Sequence, residues 1–264
     1  MNLESRACRE NGRSLRFASF RKFSRARQRS STMLRPARLF PPAVRAPSRA
    51  RTSFAARAAR ARAVSSSHLG EKGMSNLVIV YHSGYGHTKK LAESVLAGAR
   101  EAGANARLVA VGDLDDAGWA ALDAADAIVF GAPTYMGGPS ADFKKFADAT
   151  SKAWFGQKWK DKIAAGFTNS ASMNGDKFST IQYFVTLAMQ HGMVWVGTGL
   201  LPANTKAATR DDLNYAGGFT GLLAQSPSDA SPDEAPAGGD LGTAKAFGAR
   251  VATATARWLA GNGR

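Results

Sequence analysis

Ser83, Gly84, Tyr85, Gly86, His87 and Thr88 form the densest group of chemically suggestive residues in the chain. Hydroxyls can donate to an anion, and glycines let the backbone come close to it. The group follows an apolar β-type run from Leu77 to Tyr81 and precedes Leu91, Val95, Leu96 and Ala99 at helical spacing. A strand, a loop and a helix start are therefore predicted in that order. The first N–H groups of a helix lack internal partners and carry the positive end of its dipole. Such a loop is suited to holding a phosphate.

Two kinds of phosphate ligand are disfavoured by the spacing. A triphosphate loop needs G-x-x-x-x-G-K-[ST], but His87 stands before Thr88 where the lysine would be. The dinucleotide pattern G-x-G-x-x-G fails as well, because Gly84-Tyr85-Gly86 is followed by His87, Thr88 and Lys89. A single terminal phosphate, as on FMN, fits better. A plain strand-to-helix turn capped by Thr88 is the alternative.

Two more loops carry suitable residues. In Ala132-Pro133-Thr134-Tyr135-Met136-Gly137-Gly138-Pro139, proline stiffens the chain while Tyr135 and Met136 offer flat or polarisable apolar surface. This loop could border an aromatic ring. Asn169-Ser170-Ala171-Ser172-Met173-Asn174-Gly175 is small and polar, suited to backbone contacts with ring carbonyls and nitrogens. Ordinary turns are the alternative for both.

The elements that must position these loops alternate. Strands are predicted near 77–81, 107–111, 127–131, 163–168 and 193–197, and helices near 88–102, 115–123, 139–150, 178–191 and 241–259. Regular alternation, with near-continuous apolar strands such as 127–131, predicts an α/β fold with a parallel sheet covered on both faces. In a doubly wound sheet the loops after the strands share one rim, where ligands bind. Residues 198–240, rich in Pro, Gly, Ser and Asp, break the rhythm; so long a loop is usually functional or mobile.

The formal net charge of +15 is unevenly placed. Residues 1–73 hold 18 Lys/Arg against three acids, whereas residues 74–264 hold 17 of each sign. Rich in Arg, Ala and Ser, the first 73 residues are expected to be disordered. Three readings compete for them: translated upstream sequence outside the working protein, a transit peptide, or a basic arm for nucleic acid or anionic lipid. Composition ranks them in that order. Residues 74–264 are then one domain. The one cysteine, Cys8, lies outside that domain, which excludes an intrachain disulfide and any cysteine nucleophile in it. No apolar stretch approaches the ~18 residues of a bilayer span. A cytoplasmic protein is expected, or an organellar one if residues 1–73 are a transit peptide.

With these loops in order, the chain resembles the flavodoxin-like NAD(P)H:quinone oxidoreductases, the tryptophan-repressor-binding-protein family. The matching segments are Ser83 to Thr88, Gly131 to Gly137, Trp154, Asn169 to Gly175, and His191-Gly192-Met193. The resemblance implies a five-stranded parallel sheet in the order 2-1-3-4-5 and non-covalent FMN reduced by NADH or NADPH. By that likeness, Ser83, Gly84, Tyr85, Gly86, His87 and Thr88 would hold the FMN phosphate. Pro133, Thr134, Tyr135, Met136 and Gly137 would border the ring; Asn169, Ser170, Ala171, Ser172, Met173 and Asn174 would contact its polar edge. His191 would approach the flavin from its helix end or from a neighbouring chain. Tyr85 and Trp154 would line the substrate site. A quinone would be the acceptor, in a homodimer or homotetramer, with no metal and no catalytic side chain beyond the flavin itself. Nucleic acid is not an expected partner. Arginine is common in the family where Tyr135 stands. A flavodoxin-type electron carrier is the other reading.

Overall fold

Leu77, Val78, Ile79 and Val80 are almost wholly buried because helices cover both faces of their strand. This central strand is β1 (Asn76–Tyr81) of a computed structural model that describes residues 74–261. The readings of residues 1–73 lie outside the described residues. After β1 come α1 (His87–Glu101), β2 (Asn105–Ala110), α2 (Asp116–Ala124), β3 (Ala127–Tyr135) and β4 (Gly138–Pro139). Next are α3 (Ala141–Ala149), α4 (Ser151–Phe155), β5 (Ile163–Ser170), α5 (Lys177–Gln190), β6 (Val194–Trp195), β7 (Leu222–Gln225) and α6 (Gly238–Gly261).

The sheet runs β2-β1-β3-β5-β6, with parallel pairing throughout. The expected α/β, flavodoxin-like order is present. On one face, α1 and α6 pack Leu91, Val95, Phe247 and Val251 against Leu77 and Ile79. On the other, Phe143, Trp159 and Phe184 pack against Val78, Val80 and Phe130. The first pair of helices meets closely. A β-carbon on Gly98 would run into the Lys245 carbonyl, and one on Gly248 into that of Val95.

The last strand departs from expectation. The predicted strand at 193–197 is in register with β5 at Val194 and Trp195, and Val196 N–H adds a last bond to the Ala164 carbonyl at 2.8 Å. Chain crossing stops it. The Phe219 carbonyl lies 2.5 Å from where a β-carbon on Gly197 would stand, and it accepts from Thr198 N–H at 2.9 Å. After this excursion the chain returns as β7, which pairs in parallel with Phe167–Ser170, the upper half of β5. One sheet position is thus filled by two segments. Three further elements lay outside the sequence reading: a 3-10 turn (Val111–Asp113), β4, a hairpin partner of Thr134 and Tyr135, and the single turn α4. Among the described residues, no helix is long and apolar enough to cross a membrane.

Candidate functional site

Four segments converge at the carboxyl rim of the sheet around a cavity of about 550 Å³: the turn after β1, the end of β3, the end of β5 with the residue that follows it, and the stretch after β7. The first contributes Tyr85, His87 and Thr88; the second Pro133, Thr134 and Tyr135; the third Asn169, Ser170 and Ala171. The stretch after β7 adds Ser226, Pro227, Ser228, Ala230 and Pro232. A more open groove of about 780 Å³ lies between β6 and α6, away from all four segments.

The first loop is built by its hydroxyl and its glycines. Ser83 Oγ accepts from the N–H groups of Gly86 and Lys89, both at 3.1 Å, and folds the turn. Gly86 caps α1 in the left-handed region, at φ 92°, which only glycine adopts without cost. Among the described residues, the N–H groups of Gly84, Tyr85, His87 and Thr88 find no protein acceptor. The first turn of α1 contains no acid to offset its positive end. Four free amides at an uncompensated helix N-terminus fit a phosphate. The imidazole of His87 is engaged elsewhere: its Nε2 donates to the Ala230 carbonyl at 2.9 Å.

The second loop is a tight hairpin. Thr134 pairs with Pro139 and Tyr135 with Gly138, so Met136 and Gly137 form the tip, at φ 48° and 75°. Met136 is fully exposed, and neither tip residue lines the cavity. Thr134 Oγ1 is bound to the hydroxyls of Thr168 and Thr180, each at 2.8 Å, and holds the hairpin to β5 and α5. Tyr135 meets Tyr85 edge-on, with 6.4 Å between centroids, and its hydroxyl lies over Gly84. Burial raises the Tyr135 phenol above the usual tyrosine value, with a smaller push from Tyr85. The two rings form a partly exposed aromatic rim.

The third loop reaches the cavity only through its first half. Asn169, Ser170 and Ala171 line it, whereas Ser172, Met173 and Asn174 do not. Ser226 Oγ donates to Asn169 Oδ1 at 3.1 Å and joins this loop to the stretch after β7. Trp154 sits half-exposed on α4 and does not line the cavity.

His191 is not brought to the site within this chain. It caps the C-terminus of α5, and the adjoining Gly192 carbonyl accepts from Asp161 N–H, just before β5 begins. That places it at the amino edge of the sheet, opposite the cavity. It is buried, it stacks on Trp159 at 4.5 Å, and its Nε2 bonds Thr150 Oγ1 at 2.9 Å. Burial lowers its pKa below the ordinary histidine value.

The residues that sequence reasoning left unassigned are those of 226–232. The proline-rich break in the pattern marked the segment, but nothing local said where it folds. Three contacts seat it on the first loop: Ala230 on His87, Pro232 against Gly86, and Asp233 paired with Lys90 at 3.1 Å. Among the described residues there is no group of three or more His, Cys, Asp or Glu arranged to hold a metal ion.

Fold and site together define a doubly wound α/β protein with a mononucleotide-type cavity at its carboxyl rim. The family model described as NADPH-dependent FMN reductase matches residues 77–208. Flavodoxin FldP of Pseudomonas aeruginosa (strain UCBPP-PA14) is 53% identical over 182 residues, 68% of this chain and 96% of that protein. An NAD(P)H dehydrogenase (quinone) of Paracoccus denitrificans (strain Pd 1222) is 30% identical over 208 residues, 72% of this chain and 99% of that one. The crystal structure of a flavodoxin, WrbA-like protein from Agrobacterium tumefaciens has 50% identity and a TM-score of 0.56, covering 69% of this chain and 98% of that one. The chain belongs to the NADPH-dependent FMN reductase family and is a flavodoxin-like relative of the NAD(P)H:quinone oxidoreductases. It is an oxidoreductase of the FMN-dependent class, with NAD(P)H as reductant.

Proposed function

We propose that the chain transfers two electrons from NADH or NADPH to a quinone. The observation that carries this is the convergence of four segments on one cavity beneath an exposed aromatic rim. The amides of Gly84, Tyr85, His87 and Thr88 bind the FMN phosphate. Pro133 and Tyr135 border the ring, and Asn169 to Ala171 meet its polar edge. FMN, when bound, supplies the hydride chemistry. Tyr85 and Tyr135 then present flat apolar surface on which a nicotinamide and a quinone can stack in turn. Two-electron transfer through a flavin needs neither a side-chain nucleophile nor a general acid–base pair, because the cofactor carries the chemistry.

Oligomer formation belongs to the same reading, as a homodimer or homotetramer in which the half-exposed Trp154 meets a second copy. Light scattering in solution tests that part.

The similarity to a protein named flavodoxin favours a second reading, an electron carrier without its own small substrate. The FMN-loaded full chain is expected to oxidise NADH or NADPH with benzoquinone as acceptor. FMN uptake without such turnover supports the carrier. Absence of FMN uptake, followed by titration of the flavin absorption, overturns both.

A further inference from the structure

The geometry points to Lys177 as a positioning residue that clamps the loop after β5 and sets its backbone amides, with a net positive charge behind them, toward the polar edge of the flavin. The inference rests on the FMN site proposed above.

Lys177 occupies the first turn of α5, where the positive end of the helix dipole disfavours a cation. It is also 1% exposed. A buried ammonium in such a position must have its donors satisfied. Its three N–H donors meet three loop carbonyls: Ser172 at 2.6 Å, Met173 at 2.7 Å and Asn174 at 3.4 Å. Neighbouring groups take the rest of the loop. Gln225 Nε2 donates to the Ala171 carbonyl at 2.6 Å, and Ser226 N–H to that of Ser170 at 3.1 Å.

Every carbonyl from Ser170 to Asn174 is therefore an acceptor within the protein. Among the described residues, the N–H groups of Ala171 to Asn174 donate to nothing. The loop is sorted, with its acceptors tied down and its donors unclaimed. Of these residues Ser170 and Ala171 line the cavity, so the free amide of Ala171 is the one at its border. The ring of FMN is more negative when reduced, so a free amide at its polar edge, with a cation behind the loop that carries it, favours the reduced form.

The charge is not cancelled locally. Asp240 of α6 and Arg210 of the segment before β7 are the charged groups that face Lys177. They pair with each other at 2.5 Å, and Asp240 also accepts from Gln225 N–H at 3.0 Å. The trio keeps one net positive charge. Burial lowers the Lys177 pKa to about 8, with Asp240 raising it and Arg210 lowering it. That charge is consequently lost near the upper end of the physiological range.

The test compares the full chain with K177M and K177R, measuring dissociation constants for oxidised FMN and midpoint potentials from pH 6 to 9.5. K177M is expected to bind reduced FMN at least tenfold more weakly relative to oxidised FMN at pH 7, a fall in potential of about 30 mV for a two-electron couple. K177R should stay within threefold of the parent. Above pH 8 the parent's potential should fall more steeply than that of either variant, since neither methionine nor arginine titrates there. A parent-like ratio in K177M, or equal slopes in parent and K177R, overturns the proposal. If K177M fails to accumulate, the slopes of parent and K177R decide. A parent that takes up no FMN overturns the proposed function instead, which keeps the two failures distinct.

Discussion

The ring of Pro232 lies against the bare α-carbon of Gly86: a β-carbon there would come within 2.6 Å of Pro232 Cγ. The cover contributed by the stretch after β7 is thus seated on the phosphate loop by the absence of a side chain. Gly86→Ala should displace Pro232 and also strain the left-handed backbone, at roughly 1–2 kcal/mol. We expect a lower melting temperature and FMN affinity weakened by about tenfold, consistent with the ~1.4 kcal/mol that corresponds to one decade. An alanine variant with unchanged affinity would show that the cover does not matter to the cofactor.

Tyr135→Ala should separate substrate stacking from cofactor binding. The edge-on contact with Tyr85 organises the rim, and aromatic pairs of this kind contribute about 0.5–1.5 kcal/mol. Steady-state kinetics with benzoquinone should show kcat/KM reduced about three- to tenfold on that scale. The dissociation constant for FMN should change by less than the kinetic parameter does.

His87 and Lys90 hold the same segment with unequal strength. The bond from His87 to the Ala230 carbonyl is partly buried and contributes about 1 kcal/mol. The Lys90–Asp233 pair is exposed to solvent and contributes little. Limited proteolysis mapped by mass spectrometry should therefore show cleavage within 226–234 accelerated about fivefold in H87A, from that ~1 kcal/mol, and nearly unchanged in K90A. Equal rates in the two variants would refute this ranking.

His191 makes stability depend on acid. Its folded pKa is depressed, so the unfolded chain binds the extra proton more readily. The contribution is complete above about pH 6.5, the unfolded value, and is lost as pH falls through and below it. H191F preserves a ring on Trp159 and removes the titration. Melting temperatures between pH 7.5 and 5.5 should fall less steeply in this variant than in the parent, and FMN affinity should be unaltered. A loss of affinity would return His191 to the flavin site, through a neighbouring copy.

Much of the site was legible before the fold was known. Ser83 to Thr88 could be placed at a strand-to-helix junction because the apolar run and the helical spacing on either side are local signals. Pro133 to Tyr135 and Asn169 to Ala171 followed from the same alternation, since all loops after parallel strands share one rim. His191, Met136 and the second half of the 169–174 loop were less legible. A buried capping histidine and a flavin-contacting one have the same letter, and only the hairpin register sends Met136 into solvent.

The order of residues alone determined the alternating elements, the parallel sheet and the strand-to-helix junction at the first loop, because these depend on periodicity and on neighbours a few positions apart. Tertiary structure decided that residues 194–195 and 222–225 share one strand position, that Pro232 covers Gly86, and that Ser226 is joined to Asn169. Those contacts join segments whose partners are selected by how the whole sheet packs, and no local pattern encodes that choice.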